Sequence, residues 1–281
     1  MTVDAHHHVW DLAARDQTWI TGPDLAPLRR TFGVPDLAPL AAEAGITTTV
    51  LVQTVTVAEE TPELLALAEE SDLIGAVVGW TDLTAPDVAD TLAALREAPG
   101  GRWLRGIRHQ VQAEPDPEWL CRKDVRHGLA QVGRAGLVYE LLTLPHQLPA
   151  ALSTVQALPE VEFVLDHCSK PPVRTGELQP WASRLRALAA LPNVTCKLSG
   201  LVTEADWTTW SIPDLRPYVE AVLTAFGPTR VMFGSDWPVC LLAATYPQVL
   251  EAAENLTKDL TKPERTAIFT TTATKTYRLH L

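Results

Sequence analysis

Cysteine is scarce in this sequence: four residues among 281 (Cys121, Cys168, Cys196 and Cys240), widely spaced and with no CxxC pair. Such spacing predicts reduced thiols in a cytoplasmic protein and argues against a disulfide framework or a zinc knuckle. Long apolar runs are missing too, since no stretch approaches the roughly 18 uninterrupted apolar residues of a membrane span. No basic segment followed by an apolar run opens the chain, so no signal peptide is expected. Positive charge is outweighed, with 23 Lys and Arg against 34 Asp and Glu and a formal net charge of −11. Phosphate backbones and anionic membranes would be repelled, which predicts a small-molecule substrate and neither nucleic acid nor membrane as partner. A local arginine cluster could still hold an acidic substrate, and a homo-oligomer is left open.

What is present is a 46% hydrophobic chain in which short β-rich runs alternate with Ala/Leu-rich helical stretches. The runs are "TVDAHHHVW", "TTTVLVQT", "IGAVVGW", "LRGIRHQV", "LVYELLT", "EFVLDHC", "VTCKLSG" and "RVMFGSDW". Each is dominated by Val, Ile, Leu, Phe or Thr, as buried parallel strands require. Between them, segments such as "PDLAPLAAEAG", "TPELLALAEESD" and "PDLRPYVEAVLTAFG" carry apolar residues at helical spacing, with Pro or Asp near the start. Strand then helix, eight times, predicts an α/β fold of the (β/α)8 TIM-barrel kind, a single domain over residues 1–281. A doubly wound sheet would show a glycine-rich turn after its first strand; "HHHVW" stands there instead. Residues 11–35, "DLAARDQTWITGPDLAPLRRTFGVP", read as a long loop after strand 1, and loops of that size on a barrel tend to be functional.

Catalytic groups of such barrels sit at the C-terminal strand ends. Here those ends carry His6 and His8, Gln53, Trp80, Arg108 with His109, Glu140, Asp166 with His167, Lys197, and Asp236. A histidine run near an N-terminus can be the remnant of a purification tag. This one lies between strand-forming residues without a Gly/Ser linker, so it reads as native. Alternation along a strand puts Asp4, His6 and His8 on one face and His7 on the other, as a packing residue. His6 and His8 alone could be satisfied polar core residues. With His167 and Asp236 at the ends of two further strands, they become a donor set for one divalent metal, zinc or another. The same four groups could also work without metal, Asp236 as base and the imidazoles polarising a carbonyl. Asp166 is expected to face the helices or to orient a neighbour.

The stretches "DAHHHVW", "RGIRHQV", "VLDHCSKPP", "CKLSGLVTEADW" and "MFGSDWPVC" resemble the amidohydrolase superfamily, in its amidohydrolase-2 branch and its sugar-lactonase-like group. The resemblance implies that His6, His8, His167 and Asp236 correspond to the metal positions, with Asp236 activating water. The metal-bridging lysine of strand 4 in two-metal relatives is not evident, which implies at most one metal. A related pyrone-dicarboxylate lactonase is understood to work without any.

The expected activity is therefore hydrolysis of a lactone, most readily a sugar lactone, by water attack at the carbonyl. Asp236 and His167 are the expected catalytic residues; Arg108, Lys197 and Trp80 are the expected substrate contacts. For Arg108 a salt bridge to an acidic neighbour such as Glu140 is an equal alternative. Lys197 is assigned to a substrate oxygen because a lysine in "TCKLSG" would be awkward to bury. Trp10, Trp19, Trp80, Trp207, Trp210 and Trp237 are placed near the mouth, most of them as packing. Two rival readings remain: a zinc-dependent decarboxylase of an unsaturated or aromatic acid, and a barrel that binds a ligand without turnover.

Overall fold

A computed structural model describes residues 2–280; the terminal residues of the expected 1–281 domain lie outside that range. The strands are β1 (Thr2–His7), β2 (Ile46–Val52), β3 (Ile74–Gly79), β4 (Leu104–His109), β5 (Val138–Leu141), β6 (Phe163–Leu165), β7 (Val194–Leu198) and β8 (Val231–Phe233). They form one eight-stranded parallel sheet in sequence order. Every β-rich run read from the sequence coincides with one of them, β2 starting one residue ahead of its run, at Ile46.

Helices fill the connections: α1 (Val34–Glu43), α2 (Glu60–Glu70), α3 (Val88–Glu97), α4 (Lys123–Arg134), α5 (Leu148–Ala157), α6 (Trp181–Ala189), the short α7 (Leu201–Glu204), α8 (Ile212–Phe226) and α9 (Tyr246–Leu256). A C-terminal stretch follows, with α10 (Lys262–Thr266) and α11 (Thr272–Tyr277) joined by a π-helical turn. None is long and apolar enough to cross a membrane.

Period-2 alternation divides the apolar residues into two cores. Val50, Val52, Ala76, Val78, Val138, Val164 and Met232 fill the barrel interior, while Leu51, Val77, Ile107, Tyr139, Phe163 and Phe233 pack outward with the helices. Tyr277 of α11 joins the inner cluster, so the chain's last helix closes one end of the barrel.

The seam between β8 and β1 is closed by the residues that follow β8. The backbone N–H of Asp236 donates to the His6 carbonyl at 2.8 Å, and that of His8 to the Trp237 carbonyl at 2.7 Å. Two close contacts at this end of the barrel depend on glycine, one at the seam and one after β7. A Cβ on Gly234 would meet His6 Cβ at 2.7 Å; one on Gly200, at φ +66°, would meet His167 Nδ1 at 2.7 Å. Both glycines make room for an imidazole.

The expected loop after β1 is ordered against the barrel. Trp10 and Phe32 pair across it as an antiparallel bridge, and Ala26–Leu28 forms a single 3-10 turn.

Candidate active site

Strand pairing corrects one expectation at once. Between Asp4 and His7, β1 advances three residues while β2 advances two (Asp4 opposite Thr49, His7 opposite Leu51). That bulge reverses the alternation. Asp4 therefore leaves the face it was expected to share with His6 and His8. Its carboxylate accepts from the Tyr246 hydroxyl of α9 at 3.0 Å and from the Ser235 N–H at 2.8 Å. His7 stays out of the set and is buried, with neither ring nitrogen hydrogen-bonded.

His6, His8, His167 and Asp236 do meet. Oδ1 of Asp236 lies 3.8 Å from His6 Nε2, 3.6 Å from His8 Nε2 and 3.8 Å from His167 Nε2. The two first-strand imidazoles face each other, Nε2 to Nε2, at 3.1 Å. All four residues are buried. Outer partners hold the rings: His8 Nδ1 lies 2.7 Å from the Val52 carbonyl, and His167 Nδ1 lies 2.8 Å from Ser199 Oγ. A carbonyl only accepts, so His8 carries its proton on Nδ1 and presents a lone pair at Nε2.

The backbone around the site is unusual. His167, Cys168, Ser169 and Lys170 have φ of 50°, 54°, 57° and 48°, and Asp236 has φ 58°. Non-glycine residues enter this left-handed region at a cost, so a run of four marks a segment that the surrounding contacts must hold in place. Lys170 N–H bonding to the His167 carbonyl at 2.8 Å closes the turn.

Electrostatics favours neutral His6 and His167 imidazoles beside an ionised carboxylate. Burial pushes the His167 imidazole down to about 4. Burial and then the Lys197 charge hold His6 well below the usual histidine range. For Asp236 burial works upward, yet His167, His8 and Lys170 together leave its carboxyl below the ordinary carboxylate value.

Beneath His6 lies a buried charge network. Lys197 Nζ stands 2.6 Å from Glu140 Oε1, 3.1 Å from Asp166 Oδ1 and 3.0 Å from His6 Nδ1, with no exposed surface. Lys197 is thus corrected from a substrate contact to an internal cation: it is fully buried against Glu140, Asp166 and His6 and does not line the cavity. Arg108 pairs with Asp166, not Glu140, at 3.1 Å, and its other terminal nitrogen is held by the Gln53 carbonyl and side chain. Asp166 faces this network and orients its neighbours; it does not face the helices. Against the effect of burial, the Lys197 charge, the His6 contact and the Arg108 charge hold it well below the ordinary carboxylate range. Burial and then the Asp166 charge push Glu140 up.

Above the imidazoles opens a cavity of about 130 Å³, lined among others by His8, Arg108, His167 and Asp236. Thr54, Gln110, Gln112, Lys170 and Trp19 complete much of its wall. Trp80 does not line it. Its strand ends at Gly79, and its indole N–H turns to His109 Nδ1 at 3.0 Å. The aromatic wall is Trp19, contributed by the long loop after β1. Trp207 and Trp210 spend their N–H groups on the Thr203 and Ala243 carbonyls, consistent with packing. Lys170 was missed by residue-level reasoning, although the "CSKPP" motif that contains it was the available signal.

His6, His167 and Asp236 fit a divalent metal. One donor atom from each lies within 4.8 Å of the other two, close enough to share one ion, and His8, 3.6 Å from Asp236 Oδ1, stands outside that mutual set. Fitting both first-strand histidines to one ion requires lone pairs on both Nε2 atoms.

A family profile described as amidohydrolase matches residues 3–279. The chain belongs to the amidohydrolase family. An L-fucono-1,5-lactonase of Burkholderia multivorans is 40% identical over 290 residues, covering 99% of this chain and 96% of that protein. A Burkholderia ambifaria protein of the same name is 39% identical over 247 residues, covering 87% of this chain and 82% of its own. A Burkholderia multivorans amidohydrolase solved with bound zinc superposes with a TM-score of 0.94 at 39% identity over the full length of both chains. In this amidohydrolase, therefore, the barrel and the strand-end imidazoles and carboxylate belong to a family whose close relatives include lactonases.

Proposed function

We propose that this amidohydrolase opens the ring of a sugar lactone by adding water to its carbonyl, as a hydrolase of carboxylic ester bonds. The observation that carries the reading is the convergence of Asp236 Oδ1 with three imidazoles at the floor of a small cavity. Lactone hydrolysis needs a base for water, a stabiliser for the developing oxyanion and an acid for the departing alkoxide. Asp236, ionised and facing the cavity, takes the proton from water and returns it to the ring oxygen. His167 and His8 line the same floor and orient the attacking water and the carbonyl. The Arg108 guanidinium, 3.3 Å from His6 Nε2, places positive charge where the oxyanion grows.

One divalent metal, zinc in this proposal, would be held by His6, His167 and Asp236, with His8 beside them, and would polarise the carbonyl and acidify water. Lys170, Gln110, Gln112 and Thr54 offer donors and acceptors to the sugar hydroxyls, and Trp19 an apolar face. The cavity's size suits a monosaccharide-sized ligand, being well below the roughly 300–1,000 Å³ typical of pockets for drug-sized molecules. We place the reaction in cytoplasmic carbohydrate metabolism, in keeping with four free cysteines. The decarboxylase and non-catalytic readings are not favoured, because relatives near 40% identity are lactonases.

The test is acid release from a panel of aldonolactones by purified protein, with L-fucono-1,5-lactone first. Stoichiometric acid without carbon dioxide supports the proposal. No turnover of any lactone, with a ligand still bound, refutes it.

A further inference from the structure

We infer that Arg15 is a positioning residue for substrate binding. Its ion pair with Glu63 of α2 latches the loop after β1, and with it Trp19, onto the substrate cavity. The starting observation is where the loop's hydrogen bonds go. Trp10 and Phe32 close its base, exchanging backbone bonds of 2.9 Å in each direction. Between them the loop's polar groups bond to one another. The N–H groups of Arg15, Ile20 and Leu28 donate to the Asp11, Gln17 and Leu25 carbonyls, the Thr31 hydroxyl to Asp11 Oδ1, and the Arg29 guanidinium to the Ile20 carbonyl. Among the described residues, a single side chain between Asp11 and Arg29 hydrogen-bonds outside this body. Arg15 Nη1 and Nη2 each stand 2.8 Å from a separate oxygen of Glu63, a planar two-pronged pair.

Packing does not duplicate that link. Ile20 and Leu28 are buried in the outer core, but toward α2 the loop is not packed down. A second cavity, of about 240 Å³, lies there, lined by Trp10 and Phe32 of the loop's base and by Leu64 and Leu67 of α2, with Arg15 and Glu63 in its wall. Side chains facing a void lose their contacts across it. Surface ion pairs contribute little where other contacts hold the same geometry; here no other polar contact does. What the pair holds is part of the substrate site. Trp19, four residues after Arg15, lines the substrate cavity, donates its indole N–H to Oε1 of the buried Gln17 at 2.9 Å and packs edge-on against Trp10 at 5.7 Å. Glu60, one turn before Glu63, fixes Thr54 in the same cavity wall. The first turns of α2 therefore hold two walls of one cavity, Thr54 directly and Trp19 through Arg15. Released from Glu63, the loop pivots on the Trp10–Phe32 bridge and Trp19 moves off the cavity.

The inference deepens the lactonase reading and rests on it for its kinetic arm only. The structural arm needs no turnover. Fluorine NMR of fluorotryptophan-labelled protein, with Trp19 assigned from Trp19→Phe, reports the exposure of that ring through its shift between light and heavy water. Arg15→Met is expected to enlarge the Trp19 isotope shift and to leave that of Trp181, buried against α8, unchanged. Added sodium chloride should move the wild-type Trp19 signal the same way, because salt screens an exposed pair. A Trp19 signal indifferent to both the substitution and salt overturns the proposal, and the salt titration needs no variant.

The kinetic arm uses Arg15→Met, Glu63→Gln and the double variant on the aldonolactone turned over best. Each single substitution should raise KM about three- to fivefold, the size of a well-formed surface ion pair, with kcat unchanged. The double variant should be no worse than either single one, since the second change removes a partner already lost. An unchanged KM, a loss confined to kcat, or additive effects of the two substitutions overturns it. A protein that turns over no lactone yet shows the fluorine shifts would sink the function and leave the latch standing.

Discussion

Asp236 Oδ1 stands 3.8 Å from His167 Nε2, and both residues sit in the left-handed backbone region, at φ +58° and +50°. The pair is held by its surroundings at a conformation that L residues avoid. Asp and Asn tolerate that region better than other non-glycine residues, which makes the first prediction a clean test of chemistry.

Asp236→Asn keeps the shape and the backbone preference but cannot take a proton. Its kcat on the best aldonolactone should fall by about 10²–10⁴-fold, the usual size of a general-base contribution, with the melting temperature little changed. A kcat within a few-fold of wild type would remove Asp236 from the base role.

Lys170 reaches the cavity from the left-handed turn after β6, with its ammonium 3.7 Å from Glu204. Lys170→Met removes a charged donor without burying a void. The expected effect is a KM rise of about tenfold, matching the loss of one charge-assisted hydrogen bond. Steady-state kinetics decides, and a change confined to kcat would contradict a binding role.

Glu60, at the start of α2, is buried and ties down the loop after β2. Its carboxylate accepts from the N–H of Thr54 at 2.9 Å, the N–H of Val55 at 3.1 Å and the Thr54 hydroxyl. Glu60→Ala leaves those buried donors unpaired and should cost about 1–3 kcal/mol of stability. Because Thr54 lines the cavity, kcat/KM should drop as well. Urea denaturation gives the first number; an unchanged midpoint would show that water or a shifted side chain replaces Glu60.

His7 gives the protein an acid-side weakness. Burial pushes its imidazole down to about 3 from an ordinary 6.5. Between those two values the unfolded chain binds a proton that the folded one refuses. Its contribution is therefore intact above pH 6.5 and declines as pH falls toward 3, by about 1.4 kcal/mol per pH unit within the window. His7→Leu should flatten the fall in stability between pH 6.5 and 4.5 by close to one proton, read from denaturation curves at several pH values. An identical slope in both proteins would rule His7 out as its origin.

The eight strands were legible because each is a short run of β-branched and aromatic residues bounded by polar ends, a local pattern. His6, His8, His167 and Asp236 were legible for a related reason: titratable side chains ending apolar strands have one obvious meeting place in a barrel. Lys197 was read as a substrate contact from its residue type alone. That reading could not see Glu140, Asp166 and His6 closing around it, since the ion pairs join four different strands. Trp80 and Trp19 show the same limit, because which indole faces the cavity depends on where a loop folds back.

Composition, alternation and motif order thus determined the barrel and the residues at its mouth, because burial of apolar strands leaves the chain little choice of architecture. Tertiary structure alone decided which way each of those residues points. The bulge that turned Asp4 away from His6 is set by strand pairing, and the partner of Lys197 by the electrostatics of a dry interior, where a charge must find its counter-charge wherever in the chain it lies.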